Sequence, residues 1–129
     1  MFGFVTETKV WGHTTKIGHS PKSGLHVIMV HKGSFCSKHY HENKHNGFVV
    51  IEGNLTVRVW DSALDDSTMV EHKLEADGSS FVVQCNKLHQ FYSEEGARVV
   101  EFYLPAEGVD VDPEDIIRLS RGGVDDGEE

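Results

Sequence analysis

The chain is expected to fold as an all-β protein, either a closed barrel or a two-sheet sandwich. Three features carry this expectation. Apolar and polar residues alternate over short runs, roughly eight to ten of them, with turn signals between neighbours. Thirteen glycines are scattered along the 129 residues and interrupt the alternation where strands should end. A helical pattern, with apolar residues at every third or fourth place, is missing until the final segment.

Taken in order, residues 2–11 (FGFVTETKVW) alternate well enough for a strand. Residues 12–24 (GHTTKIGHSPKSG) look turn-rich, punctuated by Ser20-Pro21 and Ser23-Gly24. Leu25–Lys32 (LHVIMVHK) is a strand, and Gly33 turns the chain into a further strand carrying His39 and His41. Glu42–His45 reads as a loop and Gly47–Glu52 as a strand. Gly53-Asn54 is expected to make a hairpin turn into Leu55–Trp60. Asp61–Thr68 is polar and loop-like; Met69–Leu74, Ser80–Val83, Gln90–Ser93 and Arg98–Leu104 complete the strands. Asp112-Pro113-Glu114-Asp115 has the features of a helix start, an Asp N-cap followed by proline at the first helical position. A short helix is therefore expected to Ser120, ended by Gly122-Gly123. The expected organisation is one barrel domain over 1–109, a helix over 110–121 and a disordered acidic tail over 122–129.

The formal charge of −9 argues against nucleic acid as a partner, which needs a basic footprint. Most of it is terminal: from Asp110 onward eight acids stand against Arg118 and Arg121, which is −6 of the total. The body is thus only mildly acidic. Cys36 and Cys85 make neither a disulfide framework nor a CxxC pair. No apolar run approaches the length of a membrane span, and the first residues lack a signal-peptide core, so a cytoplasmic protein with no membrane partner is expected.

Chemistry is concentrated in two blocks. The first, Gly33 to Gly53 (GSFCSKHYHENKHNGFVVIEG), holds His39, His41 and His45 and runs into the apolar Phe48–Ile51. Side chains at i and i+2 of a strand share a face, so His39 and His41 can converge on one ion. The second block, Gly78 to His89 (GSSFVVQCNKLH), brings another histidine after a strand and a turn. Neutral imidazole is the commonest metal ligand and suits Zn, Fe, Ni, Cu and, less strongly, Mn. Four positions are therefore candidates: His39, His41, His89 and one of His45 or Asn46. The other histidines (His13, His19, His26, His31 and His72) are scattered and read as surface or satisfied polar residues.

These spacings resemble the cupin superfamily. Gly33, five residues, His39-Tyr40-His41, four residues, Asn46, six residues and Gly53 follow its first motif, with Asn46 where the family has glutamate. Gly78, five residues, Gln84-Cys85-Asn86, two residues and His89 follow the second, with Gln84-Cys85-Asn86 in place of its PxG turn. Asn86 tolerates the positive φ that glycine would supply there. The likeness runs over about residues 10 to 105. It implies a cupin-type β-barrel (double-stranded β-helix or jelly roll) with a short C-terminal helix, binding one divalent transition metal ion (Fe, Mn, Zn or Ni). Trp11-Gly12, Ser37, Lys44 and the segment Glu101–Pro105 are similar to the sugar-phosphate branch, which includes mannose-6-phosphate isomerase-like domains.

Three imidazoles and an amide would leave a divalent ion its full charge and favour an anionic or enediolate-forming ligand. Asn46 stands either on the ion or just outside it. Along Arg98–Leu104 two parities are open. One turns Glu101 and Tyr103 inward as general base and proton donor; the other buries Val100, Phe102 and Leu104. Phe91, two residues after His89, is a candidate for the substrate wall, and Lys44 for an anionic group. The expected function is isomerase- or epimerase-type proton transfer on a sugar or sugar phosphate. The rivals are an Fe(II) dioxygenase using the three histidines and a non-catalytic small-molecule binder. A homodimer is expected from the exposed strand edge of such a barrel.

Overall fold

In the computed structural model, which describes residues 5–124, the chain is almost wholly β-structure. The strands are β1 (Val5–Lys9), β2 (Gly12–Ser20), β3 (Ser23–Val30), β4 (Ser34–Phe35), β5 (His39–Tyr40) and β6 (Lys44–Trp60). After a 3-10 turn at Asp66–Thr68 come β7 (Met69–Glu75), β8 (Ser80–Val83), β9 (Leu88–Ser93), β10 (Ala97–Pro105), β11 (Ile117–Arg118) and β12 (Gly123–Val124). All pairings are antiparallel. The main path runs β1-β2-β3-β10-β6-β9-β4-β12, with β7 and β8 also on β6, and β5 linking β9 to β11. The curled all-β architecture expected for a cupin barrel is present.

The seventeen-residue β6 organises it. Its first half pairs with β10 and β8, its second with β7 and β9. One strand thus passes from one sheet into the other. The corner is a bulge: Arg98 faces Glu52 but Val99 faces Val50, so Ile51 is left over. An extra residue on one strand bends it and increases its twist. Gly53 completes the corner at φ +78°, where an added Cβ would run into the Gly96 carbonyl.

This corrects the hairpin expected at Gly53-Asn54. A hairpin would fold Leu55–Trp60 back onto Phe48–Glu52, yet β10 and β8 already occupy the edges of that half. The turn-rich reading of 12–24 is also overturned, since β2 and β3 fill it and only Pro21-Lys22 turns. Thr14 and Thr15 are β-branched and fit a pleated surface, which outweighs the scattered glycine and polar signals. Lys44 and His45, expected in a loop, open β6.

No C-terminal helix forms among the described residues. Asp112 does begin a turn, its Oδ1 accepting from the Glu114 amide at 2.9 Å, but the chain then extends. A two-turn helix gains few hydrogen bonds for its costly nucleus. The free edges of β5 and β4 offer backbone partners instead: Ile117-Arg118 pairs with His39-Tyr40, and Gly123-Val124 with Ser34-Phe35. The segment becomes a strap across the barrel. Of the tail expected to be disordered, Gly123 and Val124 are thus strand, and 125–129 lie outside the described residues, as do 2–4 of the first expected strand.

Ile28, Phe48, Leu55, Val57 and Val99 are wholly buried and meet Phe91 and Val50 between the sheets. Trp11 closes one end, its ring edge-on to Phe91 at 4.9 Å. The inward face of β10 is Ala97, Val99, Glu101 and Tyr103. Of the two parities, the polar one is realised. Phe102 lies on the other face, packed where Gly47 has no side chain.

Because Gly53 combines a positive φ with a blocked Cβ, Gly53→Ala is expected to lower stability by about 2 kcal/mol or more. Urea midpoints measure it; an unchanged midpoint would show that the corner is not constrained.

Candidate metal centre

His39 lies in β5, His41 just beyond it, and His89 in β9, where it is the register partner of His39. All three are buried. Their ring centroids stand 4.5 Å (His39–His89), 5.0 Å (His39–His41) and 5.3 Å (His41–His89) apart. Each brings a ring nitrogen within 4.8 Å of the others. Metal–nitrogen bonds are about 2.1 Å, so nitrogens sharing an ion lie within about 4.2 Å, and small ring rotations close the difference.

Hydrogen bonding sets which nitrogens are free. Nδ1 of His39 faces the Ser37 carbonyl at 2.9 Å, that of His89 the Lys87 carbonyl at 2.9 Å, and that of His41 the Asp115 carbonyl at 2.7 Å. A carbonyl only accepts, so each Nδ1 carries the proton and each Nε2 presents a lone pair. This is how metal-binding imidazoles are usually oriented. Nε2 of His41 is buried with no hydrogen-bond partner among the described residues. Such an orphan acceptor is costly unless a cation is meant to meet it.

Asn46 adds a second sign. Its Nδ2 donates to Glu101 Oε2 at 3.2 Å, with the Phe102 carbonyl at 3.4 Å, which leaves its Oδ1 facing His89 Nε2 at 3.1 Å. Two lone-pair atoms then oppose each other. Protonating His89 would relieve this, but burial foremost pushes that imidazole down to about 4. Burial, then the two neighbouring imidazoles, likewise holds His39 well below its ordinary value. Desolvation lowers His41 despite its bond to Asp115. A shared cation satisfies these lone pairs; the donors present fit a divalent ion.

His39 and His41 border a cavity of about 590 Å³ that also touches Trp11, Lys44, Phe91, Glu101, Tyr103 and Arg118. Every residue singled out as a candidate site from the sequence therefore lies at the cluster or the cavity, except His45. That ring turns away and accepts the Cys85 amide on Nδ1 at 3.0 Å. It supports the turn in which Asn86 adopts φ 67°, as expected for the position that stands in for glycine.

Glu101 is buried, with Oε1 3.4 Å from His26 Nδ1 and Oε2 on Asn46. Burial works to raise its carboxyl, but the hydrogen bonds and charge of His26, with Asn46, outweigh that and hold it below the usual range. Tyr103 is pushed well above its ordinary value by burial and by the Glu101 carboxylate, so its hydroxyl keeps its proton. Lys44 is almost fully buried, its Nζ donating to the Asp112 carbonyl at 2.9 Å and sitting 4.2 Å over the Tyr103 ring. Desolvation lowers its ammonium, with Asp115 and Glu101 opposing. Cys36 is buried, with its thiol pushed up by desolvation, and accepts the Phe91 amide. That is a structural role.

Sequence reasoning missed two sets of residues. The sequence reading leaves His26 among the scattered histidines, although its alternation with Ile28 and Val30 sets it on an inward face. The strap residues Asp115, Arg118 and Arg121 fall in the expected helix and carry no local sign of reaching the site.

Strand order, buried histidine cluster and cavity define a cupin-type β-barrel with a candidate metal centre. No family model and no curated protein matches the sequence. Solved structures do match the fold. The capsular polysaccharide assembling protein CapF from Staphylococcus aureus aligns at TM-score 0.75 and 17% identity, over 93% of this chain and 32% of CapF. Oxalate decarboxylase from Bacillus subtilis aligns at TM-score 0.70 and 13% identity, over 90% of this chain and 30% of that one. KdgF from Halomonas sp. aligns at TM-score 0.64 and 16% identity, covering 82% of this chain and 90% of KdgF. The chain thus spans about a third of the length of the first two.

Histidines that fold neutral but titrate freely when unfolded make stability depend on pH. The unfolded chain takes up protons first as pH falls through 6.5, while His89 holds out to about 4. In metal-free protein, stability should be full above about pH 6.5 and fall toward about pH 4, less steeply in His89→Gln. Urea midpoints across that window test it; equal slopes would show that the imidazole is not held neutral.

Proposed function

We propose that the chain binds one divalent transition metal ion through His39, His41 and His89, with Asn46 Oδ1 as the fourth donor. On this reading it carries out isomerase- or epimerase-type proton transfer on a sugar or sugar phosphate. One observation carries the proposal: three imidazoles with lone pairs turned toward one another are linked through Asn46 to a buried, ionised carboxylate that opens, with His39 and His41, onto one cavity. The ion would supply Lewis acidity to a ligand carbonyl or hydroxyl. Glu101 takes or returns the proton, held in place by His26 and Asn46. Tyr103, which keeps its proton, donates a hydrogen bond to the oxygen where charge develops. Lys44 and Arg118 favour an anionic group, and Phe91 with Trp11 forms an apolar wall.

The neighbours support the general reading. Oxalate decarboxylase has Mn(II) centres, and CapF is described as assembling capsular polysaccharide. A homodimer belongs to the same proposal. Among the described residues β1 pairs only with β2, and Val5 and Val10 are 57% and 65% exposed beside that edge. A monomer mass in light scattering would remove this part.

Elemental analysis of protein purified without added metal is expected to find about one divalent ion per chain, and His41→Ala to lose it. Metal content unaffected by that substitution removes the site. Glu101→Gln is expected to retain the metal and lose at least about a hundredfold in turnover of a sugar-phosphate substrate. Turnover only with iron and stoichiometric oxygen uptake selects a dioxygenase instead. Thermal stabilisation by sugar phosphates, with no product under any metal, selects a binding module.

A further inference from the structure

Two more imidazoles follow on from Glu101, through Oε1, the carboxylate oxygen not held by Asn46. His26 on β3 is buried, and its Nδ1 stands 3.4 Å from Glu101 Oε1. Its Nε2 is 2.9 Å from Nε2 of His19 on β2. His19 is exposed to solvent at the end of the β2–β3 hairpin. The contact is built into the backbone, since His19 pairs in register with Gly24. A Cβ on Gly24 would stand 3.0 Å from His19 Cε1 and 3.2 Å from its Nδ1, so the missing side chain is what lets the ring lie across to His26.

We propose that His26 and His19 form a proton path connecting Glu101 to solvent. It deepens the proton-transfer reading above and rests on Glu101 being the residue that moves the proton. Oε1 of Glu101 only accepts, so the His26 Nδ1 facing it carries a proton; Nε2 of His26 is then bare and takes the N–H of His19 Nε2. A proton arriving from water binds His19 Nδ1, His19 Nε2–H passes to His26 Nε2, and His26 Nδ1–H passes to Glu101 Oε1. Each ring gains one proton and loses one, and only the tautomers change. The reverse passage, from protonated Glu101 out to water, restores them, so charge and protons balance over a cycle. The 3.4 Å link is the longest step and needs to tighten, as catalytic contacts commonly do when a ligand binds.

The surroundings keep the outer ring able to accept. Burial, then His26 and the ammoniums of Lys16 and Lys44, hold His19 below its ordinary value. Around His26 the other facing groups are Glu101, the Tyr103 ring, whose centroid is 5.5 Å away, and Lys16, its register partner on β2. His26 also borders the cavity, and the path through His19 is the one that joins its Nε2 to the outer surface of the β2–β3 hairpin.

The test needs neither metal nor substrate. In the full chain labelled with nitrogen-15 at histidine, long-range proton–nitrogen spectra should show His26 protonated at Nδ1 and His19 at Nε2. Exchange of the His26 N–H with water should slow by about fivefold or more in His19→Phe, and likewise in Gly24→Ala, which pushes the outer ring aside. His13→Gln, a surface change elsewhere on β2, should leave the rate as it was. The proposal is overturned by slowing of less than about fivefold in His19→Phe, by a His26 N–H still broadened by exchange in that variant, or by a bare Nδ1 facing Glu101. Failure of the metal reading shows instead in the metal content of His41→Ala, which this exchange rate does not touch.

Discussion

Three bonds from imidazole Nδ1–H to backbone carbonyl govern what this barrel can do. Two of them are local: His39 uses the carbonyl of Ser37 and His89 that of Lys87, each two residues earlier in the chain. The third is not, because His41 depends on Asp115, 74 residues on. Together they turn three Nε2 lone pairs toward one place and bury them there. Water would satisfy such acceptors on a surface; inside the barrel they stay costly until something positive arrives. The cluster is therefore poised for a cation by its hydrogen bonds rather than by residue type alone.

Placing those bonds requires both sheets to keep register, and β6 couples them. Its first half sets Asn46 opposite Tyr103 and Val83, while its second half sets Val59 opposite His89. A slip by one residue would turn every side chain of the strand to the other face. The bulge at Ile51 and the positive φ of Gly53 fix where the strand changes sheets. Packing far from the cavity, at Leu55 and Val57, thus holds the relative position of Asn46 and His89.

The clustering of His39, His41 and His89 was readable from spacing, since it needs only strand periodicity and two facing blocks. The face presented by β10 was not. Both parities are compatible with a strand, and the apolar one looks better by composition; Glu101 and Tyr103 face inward because the interior at that end is polar. The strap was invisible for another reason. Asp112-Pro113-Glu114-Asp115 carries real helix-start chemistry, and the Asp112 turn does form, but long-range pairing with β4 and β5 outweighs a short helix. His26 stood between these cases: its alternation was visible, whereas its partner across the barrel was a matter of tertiary packing.

The asparagine at position 46 changes the electrostatics in a definite way. The resemblance puts a carboxylate there, next to the ion. Here the amide stands between, its Oδ1 toward His89 and its Nδ2 on Glu101, so the nearest carboxylate is one side chain further back. Under the proposed metal reading, Coulomb attraction falls with that distance, and the ion keeps more of its charge for an incoming ligand. That carboxylate, Glu101 on β10, makes its contacts to His26 and Asn46. It remains ionised because His26 and Asn46 donate to it, and it opens onto the cavity where a proton could be exchanged. A glutamate at 46 would set a second carboxylate against Glu101 and work to raise its carboxyl, whereas the asparagine donates to Glu101 and helps keep it ionised for acid–base work.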